Sequence, residues 1–231
     1  MTTPRILVDV DTQFDFVDPA GALYVPAAPT VPRALADALA AAVSEGAPII
    51  GSVDSHAYDA WEFAQNGGPF PTHCVKGTRG WLRIEPQLPA RIRFVPMQAL
   101  VDGQVDNLVG EATKGEGPRH LDAQALAVEA RQGVGLYFEK EVYSLFSNPA
   151  AEAVVAALVD SLGGKDEVVF DVIGYCTGGY CVDAAAQGLR ERGYTVRVHA
   201  AATAAIGGAQ GQEKSKATLT AAGIDWIDWA G

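Results

Sequence analysis

Four short apolar runs, each ending on a reactive side chain, set the narrowest limits on how this chain can fold. Ile6-Leu7-Val8 leads to Asp11, Ile49-Ile50 to Asp54 and His56, Leu136-Tyr137-Phe138 to Lys140, and Val168 through Gly174 to Cys181. Runs of this length bounded by turn residues read as buried strands. In a parallel sheet, residues just past the strand C-termini meet at one crevice, so segments far apart in sequence become neighbours.

Between the runs the apolar period changes to that of a helix. Arg33 to Val43 is an Ala/Leu helix preceded by Pro32 and stopped at Gly46. Asn148-Pro149 opens a second helix that ends near Gly163-Gly164, and Val182 to Arg192 a third, ended by Gly193. Gln210 to Ala222 is the fourth. Strands are expected over Arg5–Asp9, Ile49–Val53, Ile92–Val95, Gly135–Phe138, Val168–Ile173 and Thr195–Val198, with a short one over Ile224–Trp229. Alternation with short connections predicts an α/β fold, a mostly parallel sheet covered on both faces. Two stretches break the rhythm. Trp61 to Pro89, rich in Gly, Pro and aromatic residues, reads as a pocket wall, and Asp102 to Asp122 as a polar segment holding a short helix or a lid. The 231 residues are read as one domain over 1–231 with insertions near 57–89 and 100–130.

Composition removes several classes of function. A formal charge of -11 with no sustained Lys/Arg block excludes a nucleic-acid surface, which needs clustered cations; the clearest charged tract is the mixed Lys114 to Arg119 stretch. No apolar run reaches membrane-spanning length, and Arg5 leads straight into a core-like run rather than a signal region. Three cysteines cannot all pair internally, and a nucleophilic thiol suits a reducing, cytoplasmic setting.

Convergence of the strand ends gives these residues chemistry. An aspartate near Cys181 could take the thiol proton, and the Lys140 ammonium would favour both carboxylate and thiolate; with no histidine in that trio, the base would be Asp11. Each residue also has an ordinary reading, Asp11 as a strand-end carboxylate and Lys140, inside Glu139-Lys140-Glu141, as a surface ion-pair partner. Asp54-Ser55-His56 and His73 form a second group. Carboxylate oxygen and neutral imidazole nitrogen suit Zn, Mn or Fe, and three protein ligands leave positions for water or substrate. Glu62 lies close enough in the loop to contribute directly or through water, and Cys74 is an alternative thiol ligand.

The segments Asp11 to Phe16, Asp54-Ser55-His56, Phe70 to Gly80, Lys140 to Phe146 and Gly174 through Cys181-Val182 resemble the isochorismatase-like cysteine hydrolases, most closely their nicotinamidase branch. The resemblance runs from Ile6 to about Thr203. It implies a three-layer αβα fold of Rossmann-like topology with an open six-stranded parallel sheet. It also implies an Asp11, Lys140 and Cys181 triad, and one divalent ion, Zn foremost, on Asp54, His56 and His73. The backbone N–H groups of Cys176 and Cys181 would be the oxyanion donors. Phe16 and Phe70 resemble the aromatic lining of a pyridine pocket, to which Tyr175 and Tyr180 are also assigned. The implied partner is a small carboxamide, and relatives often form homo-oligomers.

The chain also departs from that family. Glu62 stands where some nicotinamidases have a histidine, and the stretch from Gly174 to Cys181 is one residue longer than usual and lacks the acidic residue that commonly precedes the nucleophile. Gly178-Gly179 would absorb the extra residue. The family's non-proline cis bond would fall at Cys176-Thr177. His199 to Thr203 lacks an acidic residue that relatives often carry there. A rival reading takes Gly174 to Gly179 as the cysteine elbow of a dienelactone-type α/β-hydrolase with Cys176 as nucleophile. The only histidine after it, His199, leaves little room for the rest of that core.

Overall fold

A computed structural model describes residues 3–84, 89–97, 100–101 and 120–227. The charged tract Lys114–Arg119, the larger part of the 100–130 insertion and Trp229 lie outside these residues, as does the side chain of His120. Seven strands form one parallel sheet: β1 (Arg5–Val10), β2 (Ile49–Asp54), β3 (Arg91–Val95), β6 (Val134–Lys140), β7 (Val169–Thr177), β8 (Thr195–Ala205) and β9 (Asp225–Ile227), in the order β3-β6-β2-β1-β7-β8-β9. The short strands β4 (Leu100–Val101) and β5 (His120–Leu121) pair separately. The sheet has one strand more than the resemblance implies, because β9 adds to the edge of β8 through Arg197↔Asp225 to His199↔Ile227.

Alternation along the strands divides the core into two apolar layers. Ile6, Val8 and Val10 of β1 face one layer. It is closed by α3 (Ala123–Arg131), α4 (Ala151–Ser161), α5 (Cys181–Glu191) and Leu219 of α6 (Gly208–Ala221). Leu7, Val53 and Tyr137 face the other, which Leu35, Ala38, Leu39 and Ala42 of α2 (Val31–Glu45) cover together with Phe16 from the one-turn α1 (Phe14–Val17). Pro32 sits in the first turn of α2, and Gly46 ends it in a left-handed conformation, φ 67°, with its N–H on Ala42 and Val43 carbonyls.

Two differences from the sequence reading have physical reasons. Helix α3 falls inside the stretch read as an insertion. Its apolar residues Ala123, Leu126, Ala127 and Ala130 follow helical spacing, and the Asp122 side chain caps it by accepting from Gln124 and Ala125 N–H at 2.8 and 3.1 Å. Strands β7 and β8 both extend past their apolar runs, to Thr177 and Ala205. Small residues there keep the ladder going through Gly174↔Thr203 and Thr177↔Ala205.

Candidate active site and metal centre

The C-terminal ends of β1, β2, β6 and the start of α5 place the four reactive side chains together. Asp54 and Lys140 are paired directly across the β2–β6 ladder. Lys140 is fully buried, so it is no surface residue despite its acidic neighbours. Its Nζ lies 2.7 Å from Asp11 Oδ2, 2.8 Å from Asp54 Oδ1 and 3.4 Å from Cys181 Sγ. Asp11 takes a left-handed backbone, φ 48°, which costs a non-glycine residue about 1–2 kcal/mol. The Asp11 N–H donates to the Ser52 carbonyl at 3.1 Å and the Ser52 hydroxyl donates to Asp11 Oδ1 at 2.7 Å. The sequence does not mark Ser52, because a strand serine two positions before Asp54 has no motif of its own.

Burial and charge set the protonation of this group. Burial would lower Lys140, but the charges of Asp11, Asp54 and Cys181 outweigh it and hold the ammonium well above its usual range. Burial raises Asp11, and Lys140 offsets this only in part. The Cys181 thiol, likewise buried, is pushed well above its ordinary value, with Lys140 pulling the other way. Burial thus favours the neutral Cys181 thiol, and the Lys140 ammonium lies between it and Asp11.

Asp54 joins this group to a second. Its other oxygen, Oδ2, is 3.1 Å from His56 Nε2 and 3.5 Å from His73 Nε2, while Glu62 Oε1 is 2.9 and 3.2 Å from the same two nitrogens. All four residues are buried, and their ligand atoms lie within 4.8 Å of one another. Glu62 is thus part of the cluster. The side chain of His73 is oriented by its Nδ1, which donates to the Pro71 carbonyl at 2.8 Å and leaves the Nε2 lone pair facing the carboxylates. His56 Nε2 points at the same oxygens yet makes no hydrogen bond of proper geometry.

That donor set fits a divalent cation. Three buried carboxylates, Asp11, Asp54 and Glu62, face one ammonium, Lys140, which leaves an excess of two negative charges when the imidazoles are neutral. Without a cation the histidines must carry the compensation. Burial would lower both, but the adjacent Asp54 and Glu62 carboxylates outweigh it and raise each to about 9. Burial would raise the carboxyls, yet Lys140 holds Asp54 well below its usual range and the two histidines lower Glu62. Cys74 stands outside the cluster, its thiol 3.8 Å from the Gly80 carbonyl and raised by burial.

The loop that delivers Glu62 and His73 is built against the strand ends. His56 N–H donates to Cys74 O at 3.1 Å and Lys76 N–H to His56 O at 2.9 Å, while Phe70 N–H and Ala64 N–H pair with Glu62 O and Phe70 O. Gln13 does for Asp54 what a neighbouring strand would do. Its Oε1 accepts the Asp54 N–H at 2.7 Å, and its Nε2 donates to the Asp54 carbonyl at 2.8 Å and to the Trp81 carbonyl at 3.0 Å.

Aromatic rings surround the histidines. Phe16, Phe63 and Phe70 stand edge-on to His73 at 5.6, 5.5 and 6.0 Å, and Tyr180 bridges Phe70 and Tyr143 at 6.3 and 5.5 Å. Phe63 and Tyr143 join the expected Phe16, Phe70 and Tyr180. Tyr175 is packed in the α2-side layer, and among the described residues no ring contact joins it to this group. A cleft of about 380 Å³ opens on His56, but Cys181 does not line it.

Cys176 is buried inside β7, whereas Cys181 is the first residue of α5. A nucleophile elbow needs a strand-to-helix turn, so the rival placement of the nucleophile fails on position. The non-proline cis bond falls at Tyr175-Cys176, one residue before the expected place.

No family model matches the chain, and no curated protein does. Solved structures do. The pyrazinamidase of Pyrococcus horikoshii in complex with zinc aligns over 97% of this chain and 99% of its own at 23% identity, TM-score 0.65. The nicotinamidase/pyrazinamidase of Bacillus subtilis aligns over 97% and 100% at 18% identity, TM-score 0.64. The yeast nicotinamidase bound to the inhibitor nicotinaldehyde aligns over 97% and 100% at 20% identity, TM-score 0.61. Strand order, layers and these full-length alignments together show that the chain shares the three-layer αβα fold of these solved structures.

Proposed function

We propose that this protein is a metal-containing cysteine amidohydrolase that converts nicotinamide, or a ring-substituted nicotinamide, to the acid and ammonia. The observation that carries the reading is the buried Lys140 ammonium touching Asp11, Asp54 and Cys181 at once, which links a nucleophile and base to a four-residue metal cluster. The similar solved structures include a pyrazinamidase with zinc and a nicotinamidase with nicotinaldehyde, and the aromatic ring set around His73 suits a flat ring.

Because burial keeps the thiol protonated, attack must be coupled to proton transfer. Asp11 takes the Cys181 proton as the sulfur adds to the carboxamide carbon, and Lys140 holds Asp11 in place and offsets the growing negative charge. Backbone N–H groups of Cys176 and Cys181 are the proposed oxyanion donors, each worth about 3 kcal/mol of transition-state stabilisation. Asp11 returns the proton to the departing ammonia, leaving a thioester. Asp11 then deprotonates water, which attacks the thioester carbon; the acid leaves and the thiol is restored. A divalent ion on Asp54, His56, Glu62 and His73 would supply a Lewis-acidic centre for fixing the substrate. The reading includes one hydrolase domain over residues 1–231, a homo-oligomer, and a cytoplasmic setting that keeps the free thiols of Cys74, Cys176 and Cys181 reduced.

Ammonia release from nicotinamide, substituted nicotinamides and aliphatic or carbamoyl amides tests the reading. We expect turnover confined to pyridine carboxamides, and lost by at least about a thousandfold in Cys181→Ala but not in Cys176→Ala. Turnover of aliphatic amides alone would move the substrate to an acyclic amide, and none at all from metal-loaded protein would leave a binding role.

A further inference from the structure

We infer that Ser215 and Asp183, assisted by Lys214, are positioning residues that hold the Gly178–Gly179 turn and, through it, the start of α5 on which Cys181 sits. The inference rests on the cysteine-hydrolase reading above. Both glycines have left-handed backbones, φ 101° and 97°, a conformation that strains any residue with a side chain. A Cβ at Gly178 would lie 2.8 Å from the Ile206 carbonyl oxygen, and one at Gly179 would lie 2.9 Å from Lys214 Nζ. A turn of two glycines has little stiffness of its own, so its shape must be imposed by its surroundings.

Helix α6 imposes it with two consecutive side chains. The Gly178 N–H donates to Ser215 Oγ at 2.6 Å, and Lys214 Nζ donates to the Gly178 carbonyl at 2.9 Å. Both polar groups of one glycine are thereby fixed from a single helix. The Ser215 hydroxyl has one proton, and it goes to Asp183, whose oxygens lie 2.7 and 2.9 Å away. The result is a directed chain from amide to hydroxyl to carboxylate. Charge assistance strengthens such a chain, and Ser215 and Asp183 are both buried. Asp183 is the third residue of α5, the position from which an acidic side chain faces back toward a helix N-terminus. Asp183 is two residues from Cys181 on the same first turn of α5, so a shift of the turn is passed to the sulfur and to the adjacent backbone amides.

The test compares Ser215→Ala, Ser215→Thr and Lys214→Met in steady-state amide hydrolysis, with backbone amide exchange followed in the intact protein. Misplacement of a reacting group by about 1 Å can cost on the order of a hundredfold. Ser215→Ala should therefore lose roughly 10- to 100-fold in kcat with KM within about threefold. Ser215→Thr, which keeps the hydroxyl, should recover most of that loss, and Lys214→Met, on the exposed side, should lose less. Amide exchange at Gly178 and Gly179 should quicken in Ser215→Ala while exchange in the central strands is unchanged. Unchanged kcat in Ser215→Ala would overturn the inference, as would an equal loss in the alanine and threonine variants with a matching drop in stability. If the wild type hydrolyses no amide, the function reading fails, while the exchange rates still decide whether α6 holds the turn.

Discussion

Gln13 shows how far one side chain can reach. It satisfies both backbone groups of Asp54, the residue shared by the lysine cluster and the metal cluster, and ties the Trp81 carbonyl to them. Gln13→Ala leaves a buried N–H and C=O unpaired, which costs about 1–3 kcal/mol for each group. Asp54 would also be freed to rotate away from His56 and His73. We expect a stability loss of about 2–4 kcal/mol in urea titrations. Zinc affinity measured by calorimetry should fall at least about tenfold. Equal affinity in the wild type and Gln13→Ala would mean Asp54 does not depend on this contact. Gln13 lies within the Asp11 to Phe16 segment that carries the family resemblance, but its bond to the far strand is not legible in the sequence. A side-chain amide pairing with backbone 41 residues away leaves no spacing to read. Asp11, Asp54, Lys140 and Cys181 were legible because each follows an apolar run whose length and composition already announce a buried strand.

Among the elements, the connection between β2 and β3 shows both what a sequence reveals and what it hides. Its Gly, Pro and aromatic content marked it as a wall around a site, and it does carry Glu62 and His73. What anchors it is Arg83, whose guanidinium pairs with buried Asp9 and lies 3.7 Å from the centre of the Tyr137 ring. Tyr137 OH donates to Asp9 Oδ2 at 3.3 Å and Thr12 Oγ1 to Asp9 Oδ1 at 2.6 Å. An arginine in a polar loop reads as a surface residue; only the tertiary fold reveals that it enters the core. Arg83→Met would leave the Asp9 charge buried without its cation, a defect that costs about 3–5 kcal/mol. We expect that loss in urea titrations, with part of it recovered by adding Asp9→Asn, which removes the stranded charge. A change under about 1 kcal/mol in Arg83→Met would show that the loop is held by its backbone bridges instead. Helix α3 is the opposite case, since its cap at Asp122 and its apolar spacing were both present in the sequence. The long polar stretch before them masks that signal.

For the molecule as a whole, we expect stability at low pH to depend on a charge cluster on the α2-facing side of the sheet, away from the nucleophile. Asp171 of β7 receives Arg197 Nε and Nη2 at 2.7 and 2.9 Å, lies 2.8 Å from His199 Nε2, and meets Arg5 Nη1 at 3.3 Å, which links β1, β7 and β8. Burial would raise its pKa, but the hydrogen bonds and charges of His199 and Arg197 outweigh this and bring it to about 2, from an ordinary 3.8. A carboxyl whose pKa is lowered by folding contributes fully above the unfolded value and loses that contribution as pH falls toward the folded one. The difference is worth about 2 kcal/mol, present above roughly pH 4–5 and lost progressively toward pH 2. In Asp171→Asn this term is absent, so the fall in unfolding free energy between pH 5 and pH 2.5 should be smaller than in the wild type by about 1–2 kcal/mol. Urea titrations at the two pH values measure it. An identical fall in both proteins would place the acid sensitivity elsewhere, with Asp54 and Glu62 next in line because folding lowers both. Repeating the titrations with saturating zinc separates the two sources. A bound ion would stabilise the fold through the metal cluster and compete with protons there, leaving the Asp171 difference unchanged.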